Sequence, residues 1–317
     1  MITYKRVYKQ VDSKAEELRR PVYAASAGIR ISKQDNRLRF EGPEGKTYLP
    51  VGVIDYLVLF PGVEITSTAL RFLTKEKRGV VFVNWLGRPV SFVFPELLGS
   101  STANLRALQY RKLTENSKAV ELTRELLKEK LSSLRETFKV GEIVLERLKE
   151  AITKAESLQE LLAVDGQMGK LLYEHLAGEE LSGFSFKKRS YHPPEDPVNS
   201  VLSSAFWFFY QSVFIQINFK GLDPYMGFFH QRRGTHATLA SDLIEVIRPQ
   251  IVKVVADLLS EGLFKEEDFE RRGRGVYLKR EPMKKLINRL VEVEERELLT
   301  LKSGTFLKRV LIPELKK

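Results

Sequence analysis

A histidine that ends a Gly/Pro-bounded turn, followed by two carboxylates three residues apart, is the densest chemistry in this chain. The turn reads GLDPYMGFFH over Gly221 to His230; after a short basic stretch the run LASDLIEVIRP carries Asp242 and Glu245. Residues three apart on a helix share a face. A neutral imidazole and carboxylates converging on one point suit a divalent cation, because hard oxygen ligands favour Mg²⁺ or Mn²⁺ and imidazole tolerates Mn²⁺. On spacing alone the plainer arrangement is favoured, with His230 closing a turn and the two acids on a solvated helix face.

The preceding segment, RSYHPPEDPVNSVLSSAFWFFY from Arg189 to Tyr210, shifts that balance. Together the two segments resemble the CRISPR-associated integrase family, the metal-dependent DNA endonucleases of spacer acquisition. That family shows R-x-Y-x-P-P-x-D-P-V-N-x-x-L-S, a helix ending in Tyr, then G-L-D-P-x-x-G-F-x-H and a D-L-x-E helix. Arg189, Tyr191, Asp196, Asn199, Ser203, Tyr210, Gly227, His230, Asp242 and Glu245 all stand at matching positions. So many matches in order are far more specific than any short motif.

The resemblance implies three metal ligands: a Glu on an earlier helix, the His of G-F-x-H and the last acid of D-L-x-E. The last two fall on His230 and Glu245, with Asp242 one turn earlier as an auxiliary carboxylate. The first falls in LLAVDGQMGKLLYEHL, where Gly166 and Tyr173 match the family but Asp165 stands in place of its Glu. Asp keeps the charge and oxygen donors and shortens the reach by about 1.5 Å. Tyr210 matches a tyrosine lying near the metal, assigned to positioning rather than to a covalent intermediate. Arg189 and Tyr191 match positions near the site that could hold backbone phosphate or stack on a base. Also implied are activity on double-stranded, branched and single-stranded DNA, a homodimer joined through sheet domains, and a small ferredoxin-like companion Cas protein.

Composition agrees with a polyanionic partner. The 317 residues carry 52 Lys and Arg against 41 Asp and Glu, a net charge of +11, with a sequence pI near 9.5. Nucleic acid suits that surplus better than an anionic membrane. With no cysteine, disulfides, thiolate zinc sites and a Cys nucleophile are excluded. The first residues show no apolar signal-peptide core, so a cytoplasmic location is expected. Pro197 to Phe219 carries no charge and nearly reaches the length of a membrane span, but its Asn, Gln and Ser side chains fit a buried core helix better.

These elements predict an α+β chain. Residues 1–95 read as a β-rich domain, with Gly- and Pro-punctuated apolar runs at Arg37–Phe40, Tyr48–Val53, Tyr56–Phe60, Val80–Trp85 and Val90–Phe94, and one helix over Thr66–Thr74. Residues 96–103 read as a linker, and 104–317 as an α-helical catalytic domain whose Leu-rich stripe begins near Leu105. The first 95 residues hold 16 basic and 9 acidic side chains, so the sheet domain is strongly basic. In the larger domain Arg271, Arg272, Arg274, Lys279, Arg280, Lys284 and Lys285 crowd around a predicted hairpin, GRGVYLK, a shape suited to lying along phosphates. The leading expectation is a metal-dependent DNA endonuclease and integrase. The alternatives are a catalytically weak DNA-binding assembly subunit and a metal-dependent hydrolase of small phosphoesters.

Overall fold

The structure is a computed structural model and describes residues 19–43, 45–95, 100–230 and 236–317. The beginning of the predicted β-rich domain (1–18), the first part of the predicted linker (96–99) and the basic stretch after His230 (231–235) lie outside the described residues.

Two sheets make up the N-terminal unit. In the first, β1 (Arg20–Ala24), β5 (Ile54–Leu59) and β7 (Gly79–Val83) run parallel, and β8 (Pro89–Val93) closes the edge antiparallel to β7. Strands β5 and β7 are buried along almost their whole length, as parallel strands covered on both faces must be. In the second sheet β2 (Arg30–Gln34), β3 (Arg37–Gly42) and β4 (Gly45–Pro50) form a meander, and the short β6 (Glu64–Ile65) pairs parallel with β2. On β3 Leu38 and Phe40 point inward while their neighbours do not, the period-two pattern of a half-covered strand. Helix α1 (Ser67–Lys75) starts at Thr66, whose side chain accepts from Ala69 N at 3.2 Å. Its Ala69, Phe72 and Leu73 join Ile31, Leu38 and Phe40 of one sheet and Leu57, Leu59 and Val80 of the other in a single core.

The sequence patterns find most of these elements and miss β1, β2 and the two-residue β6. Strand β2 buries only Ile31, so no run of apolar residues announces it. Val51–Val53, read as the end of a strand, is a 3₁₀ turn. Helix α2 (Ser100–Leu113) begins at Ser100, inside the stretch read as a linker over 96–103. The compact unit built on the sheets runs to Ala103 and also takes in Phe219–Gly221 and Ile287–Leu298. Phe219 packs on Tyr56, Phe92 and Phe94, and a Cβ added to Gly79 would stand 2.1 Å from its ring.

The second unit is mostly helical. Helices α3 (Asn116–Thr137), α4 (Glu142–Lys154) and α5 (Leu158–Ala177) pack around the apolar stripe of α3, from Leu122 to Leu134. Helix α6 (Pro197–Phe219) is long and apolar enough to cross a membrane by length and composition, yet 67% of its most apolar window is buried within the protein. Next come α7 (Thr238–Ile244), a 3₁₀ turn at Glu245–Ile247 and α8 (Arg248–Ser260). The C-terminal portion adds α10 (Thr300–Phe306) and α11 (Ile312–Lys316), while α9 (Arg280–Glu297) starts in this unit and from Ile287 on belongs to the sheet unit. The unit is not wholly α-helical, because β9 (Phe269–Arg272) and β10 (Gly275–Leu278) form the hairpin anticipated from GRGVYLK.

Candidate metal centre

The turn that ends at His230 is built around the carboxylate of Asp242. Asp242 is fully buried on α7, and its Oδ2 accepts from Phe228 N at 2.7 Å and Phe229 N at 3.1 Å. Its Oδ1 accepts from His230 N at 2.8 Å and lies 2.8 Å from His230 Nδ1. This contact assigns the Nδ1–H tautomer to His230 and leaves Nε2 as the available donor to a metal. The oxygens of Asp242, expected as an auxiliary carboxylate, are committed to the loop backbone and the imidazole, so its part here is to orient His230.

The close approach requires glycine at 227. A Cβ there would lie 2.5 Å from Asp242 Oδ2 and 2.8 Å from the Thr238 carbonyl carbon. Gly227→Ala is therefore expected to destabilise the protein by about 1–3 kcal/mol, the usual cost of forcing atoms into a filled site. Chemical denaturation should show this as a lower midpoint. The far side of the loop is held by Gln109, buried on α2, which donates to the carbonyls of Asp223 (2.9 Å) and Met226 (2.8 Å) and accepts from Asp223 N (2.8 Å). A cleft of about 530 Å³ opens beside the imidazole, lined by Tyr110, Thr114, Met226, Gly227, His230 and Thr238.

Glu245, one turn beyond Asp242, is 1% exposed and sits between two cations. Arg248 grips it with a two-pronged contact, Nε to Oε2 at 2.7 Å and Nη2 to Oε1. Lys130, on α3 and 2% exposed, donates to Glu245 Oε2 at 2.6 Å and to Asp165 Oδ1 at 2.5 Å. Burial drives the Glu245 carboxyl upward, but Arg248 and Lys130 outweigh it and hold the group at about 2. Burial likewise lowers Lys130, and the two carboxylates reverse that and raise it. Burial also works to lower His230, while Asp242, followed by Glu245, pulls it up.

Asp165 and Glu245, predicted as ligands from different helices, thus meet through one ammonium. Among the described residues no three His, Asp or Glu side chains stand ready to share an ion. The cause is visible in the hydrogen bonds: Asp242 faces its own loop, and Lys130 fills the gap between the other two acids. The donor types nevertheless fit a hard divalent cation, because two carboxylates already coordinate a cation at that gap and His230 keeps Nε2 uncommitted.

Arg189 takes a structural position. It donates to Asn199 Oδ1 at 2.9 Å and to Ser203 Oγ at 3.1 Å, and its guanidinium lies 4.4 Å from the Tyr191 ring centroid. Most of its hydrogen-bonding reach is spent inside the protein, whereas Tyr191 is 54% exposed and presents its ring to solvent. The helix cap is Asp196, whose Oδ1 accepts from Asn199 N at 2.7 Å, with Pro197 at the first helical position. Tyr210 accepts from Ala237 N at 2.9 Å, donates to Ala237 O at 3.3 Å and stacks between Trp207 and His236. Burial raises its phenol above the ordinary value, which favours a neutral positioning group over a nucleophile.

A family model described as "CRISPR associated protein Cas1" matches residues 22–292. The chain belongs to the Cas1 family. A Cas1 protein of Moorella thermoacetica, named a CRISPR-associated endonuclease, is 26% identical over 287 residues, 88% of this chain and 88% of its own. A Cas1 protein from Thermotoga maritima has the same fold, with a TM-score of 0.66 at 23% identity over 93% of this chain and 97% of its own. A chain from a partial Cas6-RT-Cas1–Cas2 complex superposes with a TM-score of 0.78 at 18% identity, covering 94% and 96% of the two chains.

The Cas1 fold of this chain also carries the predicted basic hairpin. Gly273 turns it with φ at +59°, a backbone shape glycine adopts freely. Arg271, Arg272, Arg274, Lys279, Arg280 and Lys285 are exposed and Lys284 is half-buried. Some of these cations are already engaged: Arg272 pairs with Glu270, Lys284 with Glu281, Lys279 donates to Glu267 O, and Lys285 donates to Leu263 O. The hairpin is anchored, with Val276 N donating to Pro194 O at 2.8 Å and Leu278 N to Ser200 Oγ at 3.2 Å.

Two residues of the site escape a sequence reading, Lys130 and Arg248. Lys130 interrupts the apolar stripe of α3 between Leu126, Leu127, Leu131 and Leu134, and a lysine at a core position is a signal that a buried acid awaits it. Arg248 follows Glu245 by three residues, the spacing of a helical ion pair.

Proposed function

We infer that this chain is a divalent-metal-dependent DNA endonuclease and integrase that inserts captured DNA fragments as spacers into a CRISPR array. The observation that carries this reading is His230, fixed through Nδ1 by a buried carboxylate at the edge of a 530 Å³ cleft, in one unit with the Asp165–Glu245 pair. The endonuclease name of the Moorella relative supports it.

Asp165, Glu245 and the Nε2 of His230 would hold Mg²⁺ or Mn²⁺. The bound ion would supply Lewis-acid polarisation of the scissile phosphodiester and charge relief for the leaving 3′ oxygen. Asp242 keeps the imidazole in the required tautomer. Tyr210 braces the start of α7 through Ala237, and Tyr191 offers an exposed ring to a nucleotide base. Attack by water breaks the P–O ester and yields cleavage. Attack by the 3′-hydroxyl of a captured fragment exchanges one ester for another and yields strand transfer.

The hairpin arginines take backbone phosphates of double-stranded, branched or single-stranded DNA. Replacing Arg271, Arg272 and Arg274 with Ala is expected to weaken binding to DNA of any sequence and to flatten its salt dependence, the log–log slope falling by about 0.9 for each duplex phosphate no longer neutralised. Fluorescence anisotropy across a salt series measures this, and an unchanged slope returns the arm to ordinary surface. A homodimer joined by the sheet units and a small ferredoxin-like companion complete the assembly; the structurally similar chain solved with Cas2 supports the companion.

A catalytically weak DNA-binding assembly subunit is the second reading, favoured by Asp165 in place of the family's Glu and by Lys130 between the two acids. Integration into a leader–repeat plasmid by the purified protein with its companion decides between them. The enzyme reading expects integration with Mg²⁺ or Mn²⁺ and none with a chelator. Firm DNA binding without cleavage or integration under any metal selects the subunit.

A further inference from the structure

The fully buried ammonium of Lys130 touches both acids that the proposed function treats as metal ligands, and nothing in that function uses it. Its Nζ lies 2.5 Å from Asp165 Oδ1 and 2.6 Å from Glu245 Oε2. A cation shared by those two oxygens would have to take the place that Nζ fills. Charge points the same way. Two carboxylates face two cations, Lys130 and Arg248, so the pair is balanced before any metal arrives. A divalent ion added to that balanced set gains little unless one cation withdraws. Arg248 holds Glu245 through two parallel hydrogen bonds, whereas Lys130 is a point charge at the end of a flexible four-carbon stem. Lys130 is the cation that can leave.

We propose that Lys130 is the resident cation of the metal-free site, and that divalent metal binds by displacing its ammonium from the gap between Asp165 and Glu245. This rests on the assignment of those two acids as ligands. Metal affinity is then set by an exchange of cations as well as by ligand number, and half-saturation moves to a higher metal concentration than the ligands alone would need. Lys130 also keeps the two acids from repelling one another while the site is empty of metal.

The test is Mn²⁺ binding by the full-length protein, followed by calorimetry and by the disappearance of the free-ion paramagnetic resonance signal. Lys130→Met and Lys130→Gln keep most of the side-chain volume and remove the charge. Both are expected to bind Mn²⁺ about tenfold more tightly than the wild type, because the competing unit charge is gone. His230→Ala should weaken binding in either background. Unchanged or weaker Mn²⁺ binding by folded Lys130 variants, beside wild-type binding that still depends on His230, overturns the displacement and leaves the ligand set standing. An absence of Mn²⁺ binding in every protein overturns the ligand set and the displacement together. Acylation of the wild type, read by mass spectrometry, needs no variant to fold: Lys130 should label several-fold faster with Mn²⁺ than without it, and equal labelling overturns the proposal.

Discussion

His230→Ala is expected to lower metal-dependent DNA cleavage and strand transfer by about 100-fold or more, since removing an outer partner alone commonly costs about 10- to 100-fold. DNA affinity should stay close to wild type, because it resides mainly in phosphate contacts away from the imidazole. Asp242→Asn is the informative companion. An amide can accept from only one side, so the two hydrogen bonds accepted at one of the Asp242 oxygens, either those from Phe228 and Phe229 or those from His230, must fail. Its activity should therefore fall by about 10- to 100-fold. Gel assays of cleavage and integration beside equilibrium DNA binding check both, and full activity in a folded His230→Ala protein would remove the imidazole from the site.

The second large effect is expected at Asp165. Asp165→Ala leaves Lys130 with Glu245 alone and removes one of the proposed ligands, so cleavage and strand transfer should both be abolished. Asp165→Glu installs the acid that the family resemblance implies at this position and should retain partial function. The diagnostic comparison is Glu against Ala, because a pocket shaped around the shorter acid can make Glu slower than wild type. Normal activity of Asp165→Ala with ordinary metal dependence would place the missing carboxylate elsewhere.

Local chemistry is legible in the sequence wherever a short segment carries its own geometry. The G-F-F-H turn, the spacing of Asp242 and Glu245 and the Gly273 hairpin are features of this kind, each fixed by neighbours a few residues away. What stays hidden depends on pairs far apart in the chain. Lys130 meets Asp165 across 35 residues and Glu245 across 115, and no periodicity announces such a pairing. The role of Asp242 is obscured for a different reason. A carboxylate that coordinates a metal and one that binds backbone N–H groups look identical as letters, and only the inward turn of Phe228–His230 distinguishes them. Strand β1 is a short run that takes its order from parallel pairing with β5, and β2, with Ile31 as its one buried residue, takes its order from β3 and β6.

The two hydrogen bonds that tie strand β10 to Pro194 and Ser200 carry a consequence for any DNA the arm grips. Pro194 lies just ahead of α6 and Ser200 in its first turn, in the stretch that also presents Tyr191 and is capped by Asp196. The hairpin shares its foundation with that aromatic surface. If Arg271 and Arg274 clamp a phosphate, the number of nucleotides from that clamp to the base resting on Tyr191 is set by the protein's own geometry, as a jig sets the spacing of drilled holes. Lengthening the Gly273–Arg274 tip by a residue would then shift that count while leaving the chemistry at His230 untouched.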